Sequence, residues 1–268
     1  MFEMFAYPFM QRALLVGVLI SICAALVGVS LVLRRNSMIG DGLGHTAFSA
    51  FAIATVLGFV PLYFALPIVI IASFFVLRLS QNRRLHGDAA IAVLSASSLA
   101  IGTMAISVSK GVNIDLNSYL FGSILSVSWA DVVLSAILAV LVILLYVFAY
   151  HRIFAITFDE DFAKSVGVRT GLYDAIFAAI CSVVVVLGMR LLGSLLISSL
   201  IIFPTLTAMR IGRTFKGIVA ISVVVSVLAF IVGLILSYLL ATPTGATVVI
   251  VNLIALILAT LLRKLTKS

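Results

Sequence analysis

The sequence predicts an all-α, polytopic membrane bundle of about eight or nine spanning helices, and three observations carry that expectation. Hydrophobic residues make up 64% of the 268 positions, against roughly 45–50% in a soluble domain. Charged residues are 10%, less than half the usual share of about 25%. The apolar residues fall in runs of about 18–22, the length a helix needs to cross roughly 30 Å of hydrocarbon. Membrane β-strands would be about ten residues long and strictly alternating, a pattern the chain lacks.

Candidate spans run over 12–33, 41–59, 61–79, 89–109, 130–150, 172–189, 193–209, 217–240 and 246–262. The first follows "MFEMFAYPFMQRALLVG", which has no basic leader and no small-residue cleavage site and so does not read as a signal peptide. Only Gly58 to Pro61 part the second span from the third. The seventh is short and carries Pro204, which frees a backbone carbonyl and predicts a kink. Eight spans with one partly re-entrant pair is the alternative. No stretch is polar enough to form a soluble domain, so residues 1–268 read as a single membrane domain. Cys23 and Cys181 stand singly in apolar runs and read as small buried hydrophobes.

Charge fixes the orientation. With nine spans and the C-terminus in the cytoplasm, inside loops hold Arg34, Arg35, Arg78, Arg83, Arg84, Arg152, Lys164, Arg169, Arg210, Arg213, Lys216, Arg263, Lys264 and Lys267. Outside loops hold Arg12, Lys110 and Arg190, so the 17 cations divide fourteen to three. That asymmetry is the positive-inside bias of a membrane protein. It accounts for the net charge of +8 without nucleic acid as a partner. Asp88, Asp131 and Asp174 each head a span, where a carboxylate meets unpaired helix N–H groups. His86 and His151 read as solvated loop residues, and Arg190 as an interfacial anchor.

One stretch breaks the apolar pattern. "MIGDGLGHTAF", Met38 to Phe48, sets Asp41 and His45 at the head of the second span. An acid at membrane depth costs about 2.5–3.5 kcal/mol on insertion scales and is a functional candidate by default. Residues four apart share a helix face, so a carboxylate oxygen and an imidazole nitrogen can address one ion. Both donors suit a borderline divalent metal. Two per chain make an open site, and a second chain could supply the four that zinc prefers. Gly40, Gly42 and Gly44 around the pair predict a broken or closely approached helix start. The bland alternative is that Asp41 caps the helix and His45 bonds a neighbour.

Two further segments carry chemistry. In "AITFDEDFAKSVGVRTG", Thr157 and Glu160 fit a capping box opening a helix over about 157–167. Phe158, Phe162 and Val166 form an apolar stripe, and Gly167 can close the helix in a left-handed conformation. The stripe is too short to span. It reads as an interfacial helix or as a docking helix for a cytoplasmic subunit. In the seventh span Ser194, Ser198 and Thr205 make a polar stripe around Pro204, suited to helix–helix bonding or to a translocation wall.

Five segments together resemble the permease subunits of bacterial ABC importers for zinc, manganese and sometimes iron. "VLRRNSMIGDGLGHTAFSAFAIA" is similar to that family's Arg-rich turn and Asp-x-x-x-His stretch, "NSYLFGSILSVSWAD" to its Tyr-Leu-Phe-Gly segment, and "FDEDFAKSVGV" to its cytoplasmic coupling helix. "GSLLISSLIIFPTLTAMRI" resembles its Gly-x-Leu-Leu…Pro span and "TPTGATVVIVN" its Pro-Thr-Gly turn. The chain departs in having Gly44 where the family has Ser, and Ser49-Ala50 where a Pro-Gly pair is common. The resemblance implies a dimeric permease of the metal/cobalamin type in the bacterial cytoplasmic membrane. It implies Asp41 and His45 as metal ligands for transported Zn²⁺ or Mn²⁺, and the 157–167 helix as the ATPase-coupling element. It also implies two cytoplasmic ATP-binding subunits, a second, identical permease chain, and an extracytoplasmic metal-binding protein. No cofactor would be bound by the chain itself. The resemblance also implies that ATP hydrolysis belongs to the partner and that the chain is not an enzyme, consistent with its lack of a GxxxxGK[ST] motif. The alternatives are a permease for a metal chelate (siderophore or cobalamin) and an ion-coupled secondary carrier. A carrier would want a relay of several buried ionisable groups. An intramembrane protease would want HExxH or paired acids, which are missing.

Overall fold

Helix starts and stops are written into the local chemistry. The computed structural model describes residues 7–80, 87–109, 122 and 127–265. Pro8 opens α1 (Pro8–Leu33), at a position where its missing N–H is no loss. A turn with Arg35 at φ +60° leads into α2 (Ile39–Val56), and Pro61 likewise opens α3 (Pro61–Ser80). α4 (Gly87–Val108) follows. Ser128 and Asp131 close a reciprocal capping box at the head of α5 (Trp129–Phe148). Two short helices, α6 (Tyr150–Phe158) and α7 (Glu160–Ser165), then lead to α8 (Thr170–Leu192). Gly193, at φ +91°, permits the reversal into α9 (Ser194–Ile211). Thr214 caps α10 (Phe215–Leu240), and α11 (Thr244–Leu265) ends the described chain.

The described residues form helices throughout, and nine of these helices match the nine expected spans. Eight are long and apolar enough to cross a membrane. The other is α2, whose acid, imidazole and glycines dilute its hydropathy. It is also the helix that does not need lipid, since Leu43, Ala47, Phe48, Phe51 and Ala54 are all buried within the bundle. α1 and α8 share that centre, while α5, α10 and α11 turn Ile137, Leu141, Leu228, Ile254 and Leu258 outward.

With lipid outside, helix pairing relies on small residues and polar ties. Ser30 bonds the Tyr146 hydroxyl at 2.6 Å, joining α1 to α5. Ser226 donates to the Ser21 carbonyl at 3.0 Å, joining α10 to α1. Ser73 donates to the Ala178 carbonyl at 3.2 Å, joining α3 to α8. α1 also meets the backbone of α9 in a close seam: a Cβ at Gly28 would stand 2.2 Å from the carbonyl oxygen of Ile201. Cys23 and Cys181 are free and buried, as small hydrophobes.

The contacts separate the charges into two ends. Arg34, Glu160, Lys164 and Asp174 converge at one, and Arg190 meets Asp131 at the other. These are the groupings that the loop charges assign to inside and outside. Arg190, read from the sequence as an interfacial anchor, is paired at 3.2 Å with the almost fully buried carboxylate of Asp131. Arg83, Arg84, His86, Lys110, Lys267 and the Tyr119-Leu120-Phe121 stretch lie outside the described residues.

Replacing Gly28 by Leu should lower stability by about 3 kcal/mol, the upper end of overpacking costs, because a backbone atom cannot move aside as a side chain can. Gly171→Ala, where nothing lies within 4 Å, should instead be neutral or gain up to about 1 kcal/mol. Thermal unfolding in detergent checks both; equal midpoints for the two variants would contradict the seam.

Candidate functional site

The first turns of α2 put three glycines against three different neighbours. A Cβ on Gly40 would stand 2.9 Å from Ile201 Cδ1 of α9, and one on Gly42 would stand 2.9 Å from Ile91 Cγ2 of α4. Gly44 leaves 3.9 Å to Ser194 Cβ and 4.0 Å to Ser198 Oγ. α2 is continuous from Ile39 to Val56, so the glycines serve close approach and not a break. Thr46 bonds Ser98 at 3.2 Å and completes the seat against α4.

Wedged in this way, α2 holds Asp41 and His45 on one face. Asp41 Oδ2 lies 3.6 Å from His45 Nε2. The Ser198 hydroxyl shares its one proton between Asp41 Oδ1 at 3.3 Å and the Ser194 carbonyl at 3.1 Å. Ser198 is in the second turn of α9, a spanning helix, so the pair stands at membrane depth. Although α2 is largely enclosed, the side chains of Asp41 and His45 remain 37% and 24% exposed. His45 Nδ1 is buried with no hydrogen-bond partner. Among the described residues no third His, Cys, Asp or Glu joins them. One chain thus offers a carboxylate, an imidazole and a hydroxyl around an opening in its own surface. That donor set can receive a divalent cation and release it, which a closed thiolate site would resist.

The polar stripe of α9 divides. Ser194 and Ser198 face α2. Thr205 turns away, to the Ile201 carbonyl and to Ser222 Oγ of α10, each at 3.3 Å, so its role is helix–helix bonding. α9 runs through the buried Pro204 without interruption.

The 157–167 segment differs from the expected capping box. Thr157 is buried in the last turn of α6, and Asp159 is the N-cap, its carboxylate accepting from the Phe162 N–H at 2.9 Å. Glu160 is the first residue of α7 and not its third. An extended Asp159, at φ −151° and ψ 97°, divides the predicted helix into two. Gly167 does close it at φ +83°. Phe158, Phe162 and Val166 are each nearly 60% exposed. Phe158 also leans on Phe154 and on Phe215 of α10. Lys164 is held charged to above its ordinary pKa by its hydrogen bond and charge contact with Glu160.

Sequence reading missed the ion pairs of Arg34 and Arg190, having assigned their acidic partners to helix ends. The usable signal was sidedness: Arg34, Glu160 and Asp174 are predicted on one face, and Arg190 and Asp131 on the other.

Comparison with known proteins gives the context. The ABC 3 transport family matches residues 6–263. The chain belongs to the ABC 3 transport family. Within this family of transporters it is 28% identical over 247 residues to the high-affinity zinc uptake system membrane protein ZnuB of Haemophilus influenzae, covering 92% of this chain and 95% of that one. It is 28% identical over 246 residues to the manganese import system permease protein ScaB of Streptococcus gordonii, covering 92% and 88%. The solved PsaBC from Streptococcus pneumoniae in complex with Fab superposes with a TM-score of 0.83 at 26% identity, covering 94% of this chain and 91% of that one. This ABC 3 chain is thus a multi-pass membrane protein of an ABC transport family.

Asp159→Ala should cost about 1 kcal/mol, the usual loss of an N-cap, and should speed hydrogen exchange at the Phe162 amide about fivefold. Thr157→Ala should leave that amide unchanged; the reverse result would restore the capping box to Thr157.

Proposed function

We propose that this chain is the membrane permease subunit of an ATP-driven importer that carries a divalent metal ion, Zn²⁺ or Mn²⁺, into the cytoplasm. The observation that carries the reading is the Asp41–His45 pair at membrane depth, 3.6 Å apart and open to the chain's surface. A costly acid is kept there without an ion pair to a Lys or Arg among the described residues. The metals named for ZnuB and ScaB, zinc and manganese, are those that suit a carboxylate–imidazole donor set.

The incomplete donor set argues for a second copy of the chain across the opening, bringing another Asp41 and His45. Ser194 and Ser198 line the same path. The cytoplasmic end carries the inner cations, and the C-terminus lies there. Two ATP-binding subunits engage that face, with Phe162 of α7, Val166 just after it and Phe158 before it as the docking surface. An extracytoplasmic metal-binding protein delivers the ion on the opposite face. Closure of the ATP-binding subunits pushes on α7 and turns the site from one side of the membrane to the other.

Asp41→Asn or His45→Ala should lower uptake of the transported metal by about a hundredfold or more, at least the effect of losing a group that merely supports a ligand, with assembly intact. Uptake measured for zinc, manganese and iron in a deletion strain checks this, and wild-type rates in both variants would remove the pair from the mechanism. Phe162→Asp should release the ATP-binding subunit. Undiminished recovery of that subunit on pull-down would contradict docking through α7.

A further inference from the structure

Arg34, the residue after α1, has a side chain only 12% exposed, and it grips two carboxylates from distant parts of the chain. Nη1 donates to Asp174 Oδ1 of α8 at 2.7 Å. Nη2 donates to Glu160 Oε2, the first residue of α7, at 3.3 Å. Lys164 holds the other oxygen of Glu160 at 2.8 Å. A guanidinium suits this double grip because its donors diverge in a fixed plane.

α7 has few other ties to the spanning helices. Phe162 and Val166 are exposed, and among the described α7 residues Ala163 is the buried one. The space beside the guanidinium, lined by Ser30, Ile156, Thr157 and Phe177, is about 20 Å³, room for one water. A displacement of α7 therefore meets Arg34 at once. From Arg34 the chain makes one tight turn, with Arg35 at φ +60° and Asn36 N–H donating to the Leu31 carbonyl at 2.8 Å. It then enters α2, where Asp41 stands in the first turn.

We propose that Arg34 is a positioning residue that carries movement of α7, through its pair with Glu160, into the turn before α2 and so to the Asp41–His45 site. The inference rests on the importer reading above and adds the route by which the two ends of that reading communicate. The pair with Asp174 alone would fasten α1 to α8. The pair with Glu160 is what attaches an element outside the bundle.

The test uses the full complex with its ATP-binding subunits in proteoliposomes, and reads zinc or manganese delivered per ATP hydrolysed, beside the thermal midpoint. Glu160→Gln leaves the Asp174 pair in place, and Arg34→Lys keeps the charge but loses the double grip. Both should assemble and hydrolyse ATP while the delivered ratio falls about fivefold to tenfold, within the range for a lost coupling contact. Arg34→Gln combined with Glu160→Gln should be no worse in that ratio than Arg34→Gln alone, because partners in one contact are not additive. An unchanged ratio in both single variants overturns the proposal. So does a fall in uptake and hydrolysis in step with a lowered midpoint, the mark of a structural role alone. Asp41→Asn in parallel separates the two readings: if it delivers metal normally, the site reading fails and the route to Asp41 fails with it. If Asp41 is essential and the Arg34 ratio is unchanged, the coupling route alone fails.

Discussion

A carboxylate placed within a membrane span must be enclosed, and the bundle is organised around the helix that carries it. α2 is the least apolar of the long helices, and four others pack against it: α3, α4, α8 and α9. Gly40 and Gly42 let α9 and α4 come closer than a side chain would allow. The outer helices can be uniformly apolar because they meet lipid on one face. Asp41 and His45 stand on α2 with their side chains partly exposed. This economy follows from the insertion cost of charge: one acid can be sheltered by packing, whereas a relay of several would need a wet core.

Ion pairs then fix the two ends of α8. Asp174 near its start is tied to Arg34, and Arg190 near its end is tied to Asp131. Both acids are mostly buried, so each pair is shielded from the screening that weakens an exposed one. Ser182 and Ala178 add bonds to α3 along the length of the helix. α8 is thus a fixed post between the face where α7 projects and the face where α5 begins. Through Arg34, that post also holds the turn that leads into α2.

Much of this was legible in the amino-acid order because hydrocarbon imposes so simple a rule. Apolar length located the long helices, and Lys and Arg sidedness sorted the loops into the groups that the contacts reproduce. Asp41 and His45 stood out by cost alone. What could not be read was which of two overlapping caps the chain would use. Thr157-x-x-Glu160 and Asp159-x-x-Phe162 both fit the pattern of an N-cap. The choice fell to Asp159 because α6 runs on past Ile156 and buries Thr157 in its last turn. Nor could the partners of Arg34 and Arg190 be read, since they lie more than a hundred and about sixty residues away respectively, and only folding brings them near. Thr205 shows the same limit: its spacing put it in line with Ser198, but α10 supplied Ser222 as a nearer partner.

The weak hydropathy of α2 also bears on how the chain is made. A segment with an aspartate, a histidine and four glycines from Gly40 to Gly58 has little drive to leave the protein-conducting channel for lipid by itself. The turn between Val56 and Pro61 is short enough for the strongly apolar α3 to arrive directly behind it. Biogenesis therefore favours partitioning of the two as one hairpin, with residues 39–56 waiting at the exit until 61–80 has been synthesised. The helix that carries Asp41 and His45 thus depends for its own entry into the bilayer on the one translated next.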